Sequence, residues 1–123
     1  MDDPSELTRT LRTEVGDALR MVAVYEETEF DHLYLRDDLD SQYSRVDLEA
    51  LRREIIVLGL GREKVDEVTA SGSLRRIVYE TEDVFAVQTP TDTHTGVFVS
   101  FDSSKRTRLF DVIDVIRDRV EVP

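Results

Sequence analysis

Residues 32–40 read HLYLRDDLD, placing a histidine, an arginine and three aspartates within nine positions. Asp37, Asp38 and Asp40 offer hard oxygen ligands of the kind that Mg²⁺ or Ca²⁺ takes. A calcium loop needs acidic residues at alternate positions, then a glycine for the sharp turn and a distal glutamate. DDLDSQYSR has neither that glycine nor that glutamate. His32 lies five residues before Asp37, across a strand-like run, and points away from a shared centre unless the chain turns. The simpler reading is that Asp37 and Asp38 end a strand, Arg36 pairs with a nearby acid, and Leu39 tucks inward. On that reading no metal is bound.

Other residues that could do chemistry are few. His32 and His94 could act as general bases beside a carboxylate. No G-x-S-x-G elbow presents a serine to them, and His94 sits in the threonine-rich loop TDTHT. Glycines 59 and 61, in GLG, are too few to cradle a nucleotide and read as a helix break; no phosphate-loop or dinucleotide fingerprint occurs. SSKRTR, 103–108, is the basic cluster of the chain. Opening a helix, Ser103, Ser104, Lys105, Arg106 and Arg108 would form an anion or acidic-partner site, since exposed N–H groups there favour negative charge. Three cations at a helix start oppose the macrodipole, and pairing with surplus acids is the plainer explanation. Phe30, Tyr34, Tyr43 and Phe98 fall off the inward faces in this reading. Together they are a candidate interface patch.

Composition narrows the classes further. The 123 residues suit one α+β domain spanning 1–123. There is no cysteine, which excludes disulfides, thiolate nucleophiles and Cys-ligated zinc. No apolar run spans a membrane, and MDDPSELTRT lacks the apolar stretch of a secretory leader, so a cytoplasmic protein is expected. Asp and Glu number 27 against 16 Lys and Arg, a net charge of −11, and only Lys64 and Lys105 are lysine. Such a chain suits the cytoplasm of a salt-loving archaeon, where a Debye length of about 3 Å at 1 M salt screens self-repulsion. The same charge argues against nucleic-acid binding, which needs a basic face.

The elements that position these residues follow from periodicity. SELTRTLRTEV predicts a helix capped by Ser5, with Leu7, Leu11 and Val15 on one stripe, ended by Gly16 or running on to about residue 22. Residues 19–36 alternate twice around EETE and predict a β-hairpin. SQYSRVDLEALRREIIVLGLG predicts a helix with a capping box from Ser44 to Asp47 and an apolar face of Leu48, Leu51, Ile55 and Leu58. REKVDEVTA predicts a second, shorter helix. Strands follow at 74–80, 84–90 and 96–102, with short links that make them antiparallel neighbours. SSKRTRLFDVIDVIRDRV predicts the closing helix, with Leu109, Ile113, Ile116 and Val120 inward.

This order resembles the roadblock/dynein-light-chain family, a profilin-like fold, across nearly the whole chain. The resemblance is carried by the hairpin MVAVYEETEFDHLYL, the meander RIVYETEDVFAVQTP with GVFVSFD, and the closing helix LFDVIDVIRDRV. YEETEFDHLYLRDDL is also similar to small haloarchaeal proteins of unassigned function, through the ending Arg36, Asp37, Asp38 and Leu39. The family resemblance implies a non-catalytic dimeric module that binds small GTPases or other regulators. Its central helix often makes dimer contacts and is usually unbroken, whereas Gly59 and Gly61 interrupt this one.

The expected fold is therefore α+β. A five-stranded antiparallel sheet, built from a hairpin plus a three-stranded meander, packs with three to four helices in a roadblock- or profilin-like arrangement. The expected function is protein interaction, as a homodimer or on a protein partner, with no cofactor, nucleic acid or membrane involved. A small-ligand sensor with a pocket between sheet and helix is the alternative. An enzyme is third, because no converging catalytic set is present.

Overall fold

A computed structural model describes residues 4–70 and 72–120. Helix α1 spans Pro4–Val15. Proline suits the first turn, where its missing N–H has no helical partner anyway. Ser5 is therefore inside that turn and is not the cap expected from sequence. Leu7, Leu11 and Val15 are buried, as their spacing requires. The helix stops because Gly16 adopts a left-handed φ of +59°, and a 3₁₀ turn at Gly16–Ala18 leads into strand β1.

Strands β1 (Leu19–Tyr25) and β2 (Phe30–Leu35) form the hairpin, and β3 (Ile77–Glu80), β4 (Val84–Pro90) and β5 (Gly96–Asp102) form the meander. They make one antiparallel five-stranded sheet of order β2-β1-β5-β4-β3. Strand β3 starts at Ile77, later than the expected residue 74. Helices lie on both faces, so the inner strands lose the simple in–out alternation. Val22, Val87 and Val99 are buried against α1 and α5, while Met21, Ala23 and Ala86 are buried against the other face.

Helix α2 (Asp37–Asp40) is a single turn, where the sequence predicts only a strand end. Helix α3 (Arg45–Gly59) begins with the expected capping box: the Asp47 N–H donates to the Ser44 hydroxyl, and the Ser44 N–H donates to the Asp47 carboxylate. Helix α4 (Arg62–Thr69) follows the glycine break. Helix α5 (Leu109–Arg119) is preceded by 3₁₀ turns over Ser103–Arg108, so SSKRTR does not open the α-helix. Among the described residues, no helix is long and apolar enough to cross a membrane.

Two apolar clusters result. One joins α1 and α5 to the sheet through residues such as Leu7, Leu11, Phe101, Val112 and Ile116. The other lies beneath α3 and contains Met21, Ala23, Tyr25, Ile55, Ile56, Ala86 and Phe98.

Candidate functional site

The charge cluster that dominates the sequence forms a structural knot. Arg36 ends β2 and points its guanidinium back across the sheet. Its Nε donates to Asp38 at 2.7 Å, its Nη1 to Asp102 at 2.7 Å, and the same Nη1 to the Asp17 carbonyl at 3.0 Å. Arg20 Nη1 reaches the other Asp102 oxygen at 3.3 Å. Hydrogen bonds donated to Asp38 and then to Asp102 hold the Arg36 pKa above its ordinary value, and Arg36 holds Asp38 below the usual carboxylate range. Asp102 thus joins β1, β5 and the end of β2. Asp38 is committed to Arg36, and no group of three His, Asp or Glu among the described residues could hold a metal ion. Asp37 and Asp40 sit exposed on α2, and His32 is exposed on β2.

The SSKRTR cations are not gathered either. Arg108 bridges Glu14 on α1 at 2.6 Å and Asp111 at 3.4 Å. The Ser103 hydroxyl donates to the Glu82 carbonyl at 3.3 Å, while Ser104, Lys105 and Arg106 are exposed. A run of 3₁₀ turns lacks the aligned amides that would make a helix-start anion site.

The fold turns the expected aromatic patch inward, three of its four members onto one cluster. Phe98 is only 7% exposed beneath α3, with Phe30 and Tyr43 packed around the same cluster. Tyr34 leans on the opposite cluster, under the Arg12 guanidinium 5.3 Å from its ring centre. Of the β2 leucines, Leu35 packs beneath α3, whereas Leu33 is exposed at the point where the β1–β2 register shifts. Edge strands with polar residues on both faces give little periodicity to decide between them.

The exposed apolar surface lies elsewhere. Val46, Ala50, Val57 and Leu60 recur at helical spacing along the outer side of α3 and its end, and all four are exposed. Val57 is 57% exposed, while Leu58, expected to be inward, borders the space between α3 and the sheet yet is 56% exposed. On α4 every described side chain is exposed, including Val65 and Val68 at i, i+3. A short helix with valines on one side and no buried side chain among those described makes no core of its own.

Between α3 and the sheet runs a cleft of about 340 Å³. Met21, Ala86 and Phe98 form its floor, Leu51 and Ile55 line one wall, and its polar groups include Arg20, Glu54, Thr81 and Ser100. Beside it, buried Gln88 ties α3 down. Its Nε2 donates to the Ile55 carbonyl at 2.9 Å and to the Tyr25 hydroxyl at 3.0 Å, and its Oε1 accepts from the Tyr79 hydroxyl. Burial pushes the Tyr79 phenol above its ordinary pKa. Tyr25 reaches Gln88 by crossing Gly96, where an added Cβ would collide with the tyrosine ring and lie 2.7 Å from the Thr89 carbonyl oxygen. Arg52 adds a second tie from α3, pairing with Glu49 and donating to the Glu27 carbonyl at the tip of the β1–β2 hairpin. The sequence reading passed over Gln88 and Asp102; a lone glutamine in an apolar strand, VFAVQTP, was the available signal for the first.

The family described as Domain of unknown function (DUF7522) matches residues 5–121, and the chain belongs to it. No curated protein matches the sequence. Solved structures share the fold. MglB "with tetrameric arrangement" is 10% identical at a TM-score of 0.61, covering 93% of this chain and 85% of that one. A Roadblock/LC7 domain from Streptomyces avermitilis is 14% identical at a TM-score of 0.54, covering 95% and 97%. The MglB of Myxococcus xanthus is 11% identical at a TM-score of 0.54, covering 96% and 90%. The fold is therefore that of the roadblock/LC7 domains.

Proposed function

We propose that this member of the family is a non-catalytic interaction module that pairs with a second copy of itself through the outer side of α3 and α4. The carrying observation is the apolar surface left uncovered there: Val46, Val57, Leu60, Val65 and Val68 are all exposed. Contiguous exposed apolar surface marks interaction sites in folded proteins. The tetrameric arrangement of the MglB structure is consistent with a fold that assembles. The surplus of acid fits work in a salt-rich cytoplasm, where apolar contact outlasts surface ion pairing. Size exclusion with light scattering in molar KCl tests the reading. The intact chain is expected to run as a dimer or larger, and V57E combined with L60E as a monomer. A monomeric intact chain at high protein concentration would overturn it.

The cleft favours a second reading, a small-ligand sensor. Its volume is near the lower end of ligand pockets, and its lining is largely apolar with few polar groups. Ser100 and Arg20 would orient a polar end of such a ligand. An environment-sensitive apolar dye should bind the intact chain saturably and lose that binding in A86W, which fills the floor.

A further inference from the structure

The cleft between α3 and the sheet has a polar end and an apolar end, and strand register tells them apart. Ser100 of β5 pairs with Met21 on one side and Ala86 on the other. It is 7% exposed and lines the cleft, and its hydroxyl has no hydrogen-bond partner among the described residues. Buried hydroxyls in folded proteins nearly always have one. Asp102 lies two residues further along β5 and so on the same face. Arg20 Nη1 donates to Asp102 at 3.3 Å, which brings the guanidinium to the Ser100 end of the cleft. A register shift between Leu19 and Met21 lets Arg20 and Met21, neighbours in sequence, line the cleft together. Phe98 lies two residues before Ser100, and its ring meets that of Tyr79 at 6.4 Å between centres. That pair closes the apolar end.

Arg20 is the less satisfied of the two arginines at Asp102. Arg36 takes Asp38 and also the shorter bond to Asp102, at 2.7 Å. Arg20 keeps the longer one, and its Nε and Nη2 have no partner among the described residues. Two free guanidinium donors and one free hydroxyl thus share one end of an otherwise apolar cleft. We propose that the cleft binds a monocarboxylate with an apolar body, its carboxylate on Arg20 and Ser100 and its body over Met21, Ala86 and Phe98. A carboxylate offers two acceptor oxygens, which suit a planar guanidinium and a hydroxyl donor. A second charge at the far end of the ligand would be buried against Phe98 and Tyr79 without a partner, which is costly. Glu54, exposed on α3 where it borders the cleft, would repel a second anion as well. This inference rests on the ligand reading of the cleft and is independent of self-association through α3 and α4.

Met21 on the cleft floor supplies the probe, through the ε-methyl signal of full-length protein labelled with ¹³C-methyl methionine. Octanoate, octanol and octanedioate are titrated separately at constant KCl concentration. Octanoate and octanol should both shift the Met21 methyl saturably, with octanoate about tenfold tighter or more, the gain expected from a charge-assisted hydrogen bond. Octanedioate should bind more weakly than octanoate. R20M should reduce octanoate to the affinity of octanol and leave octanol itself unchanged. S100A, which leaves the Arg20 pairing intact, should weaken octanoate severalfold and serves if R20M does not fold. If no ligand moves the Met21 methyl, the ligand reading of the cleft falls and this inference falls with it. Equal affinities for octanoate and octanol, or an octanoate preference that survives both substitutions, would overturn the carboxylate site while leaving an apolar ligand cleft in place.

Discussion

The two faces of the sheet are built to different standards. On one, α1 and α5 cover the strands with an apolar cluster in which Leu7, Leu11, Phe101, Val112 and Ile116 have no exposed surface. On the other, α3 is attached by a buried glutamine, an arginine at the hairpin tip and two isoleucines, with a cleft left beside it. The first face spends most of its apolar residues on the fold, with Phe110 of α5 left in water. The second leaves a row of them in water on α3 and α4. An element held by a few specific polar contacts can be repositioned or covered by a partner at little cost to the rest, and low local stability is where binding surfaces are usually found. On the proposed reading, self-association belongs to the α3 side, while the α1–α5 side carries most of the stability.

The contrast can be broken most forcefully on the closed face. L11A should destabilise the protein by about 2–5 kcal/mol, because the emptied volume is fully enclosed. That is a large share of the roughly 5–15 kcal/mol that holds a typical domain together. Urea unfolding measures it, and a loss under 1 kcal/mol would show the closed face to be less tightly packed than described. Next comes the polar tie. Q88L should cost about 2–3 kcal/mol, since it strands the Tyr25 and Tyr79 hydroxyls and the Ile55 carbonyl in a buried setting. Its signature is regional: amide exchange should accelerate along α3 far more than in α1 or α5. Uniform acceleration would mean the two faces are not separable.

Smaller effects belong to the ends of α3. S44A removes the hydroxyl that accepts from the Asp47 N–H, and about 1 kcal/mol is expected. The effect should appear as fraying of the first turn in amide exchange. The smallest expected effect is of acid. Asp47 is held below its ordinary pKa chiefly by the Ser44 backbone, Glu49 by Arg52, and Asp38 by Arg36. A depressed carboxylate contributes stability above its unfolded pKa of about 4 and loses it as pH falls through the folded value. Stability should therefore decline modestly below pH 4. High salt should shrink that decline, because all three groups are in water. An increase in stability on acidification from pH 5 to pH 3 would contradict the assignments.

The sequence carried the order of elements because it was written in long, regular signals. The stripe of Leu7, Leu11 and Val15, the two alternating runs of the hairpin and the Ser44–Asp47 box are all local patterns, and all three elements formed. What was misread depends on contacts distant in sequence. Asp102 meets Arg36 across 66 positions, and Gln88 meets Tyr25 across 63, so no local window shows either pair. Leu58 lies on the side that its spacing predicts, bordering the cleft, but helix period alone cannot show that the space there is open. The aromatic set failed for a related reason: Phe98 alternates correctly on β5, but both faces of that strand are covered. SSKRTR was read as a helix start, whereas Lys105 departs from helical geometry with φ of −108° and ψ of 27°.

The central claim is that the outer side of α3 meets its counterpart in a second copy. The chain has no cysteine, so a single introduced thiol reports one place without ambiguity. A50C lies in the middle of the exposed α3 row, and D118C lies on the exposed side of α5. Both proteins would be oxidised in molar KCl at equal concentration and compared on a non-reducing gel. The account predicts rapid, nearly complete covalent dimer from A50C and little from D118C. Equal yields from the two, or more dimer from D118C, would contradict it.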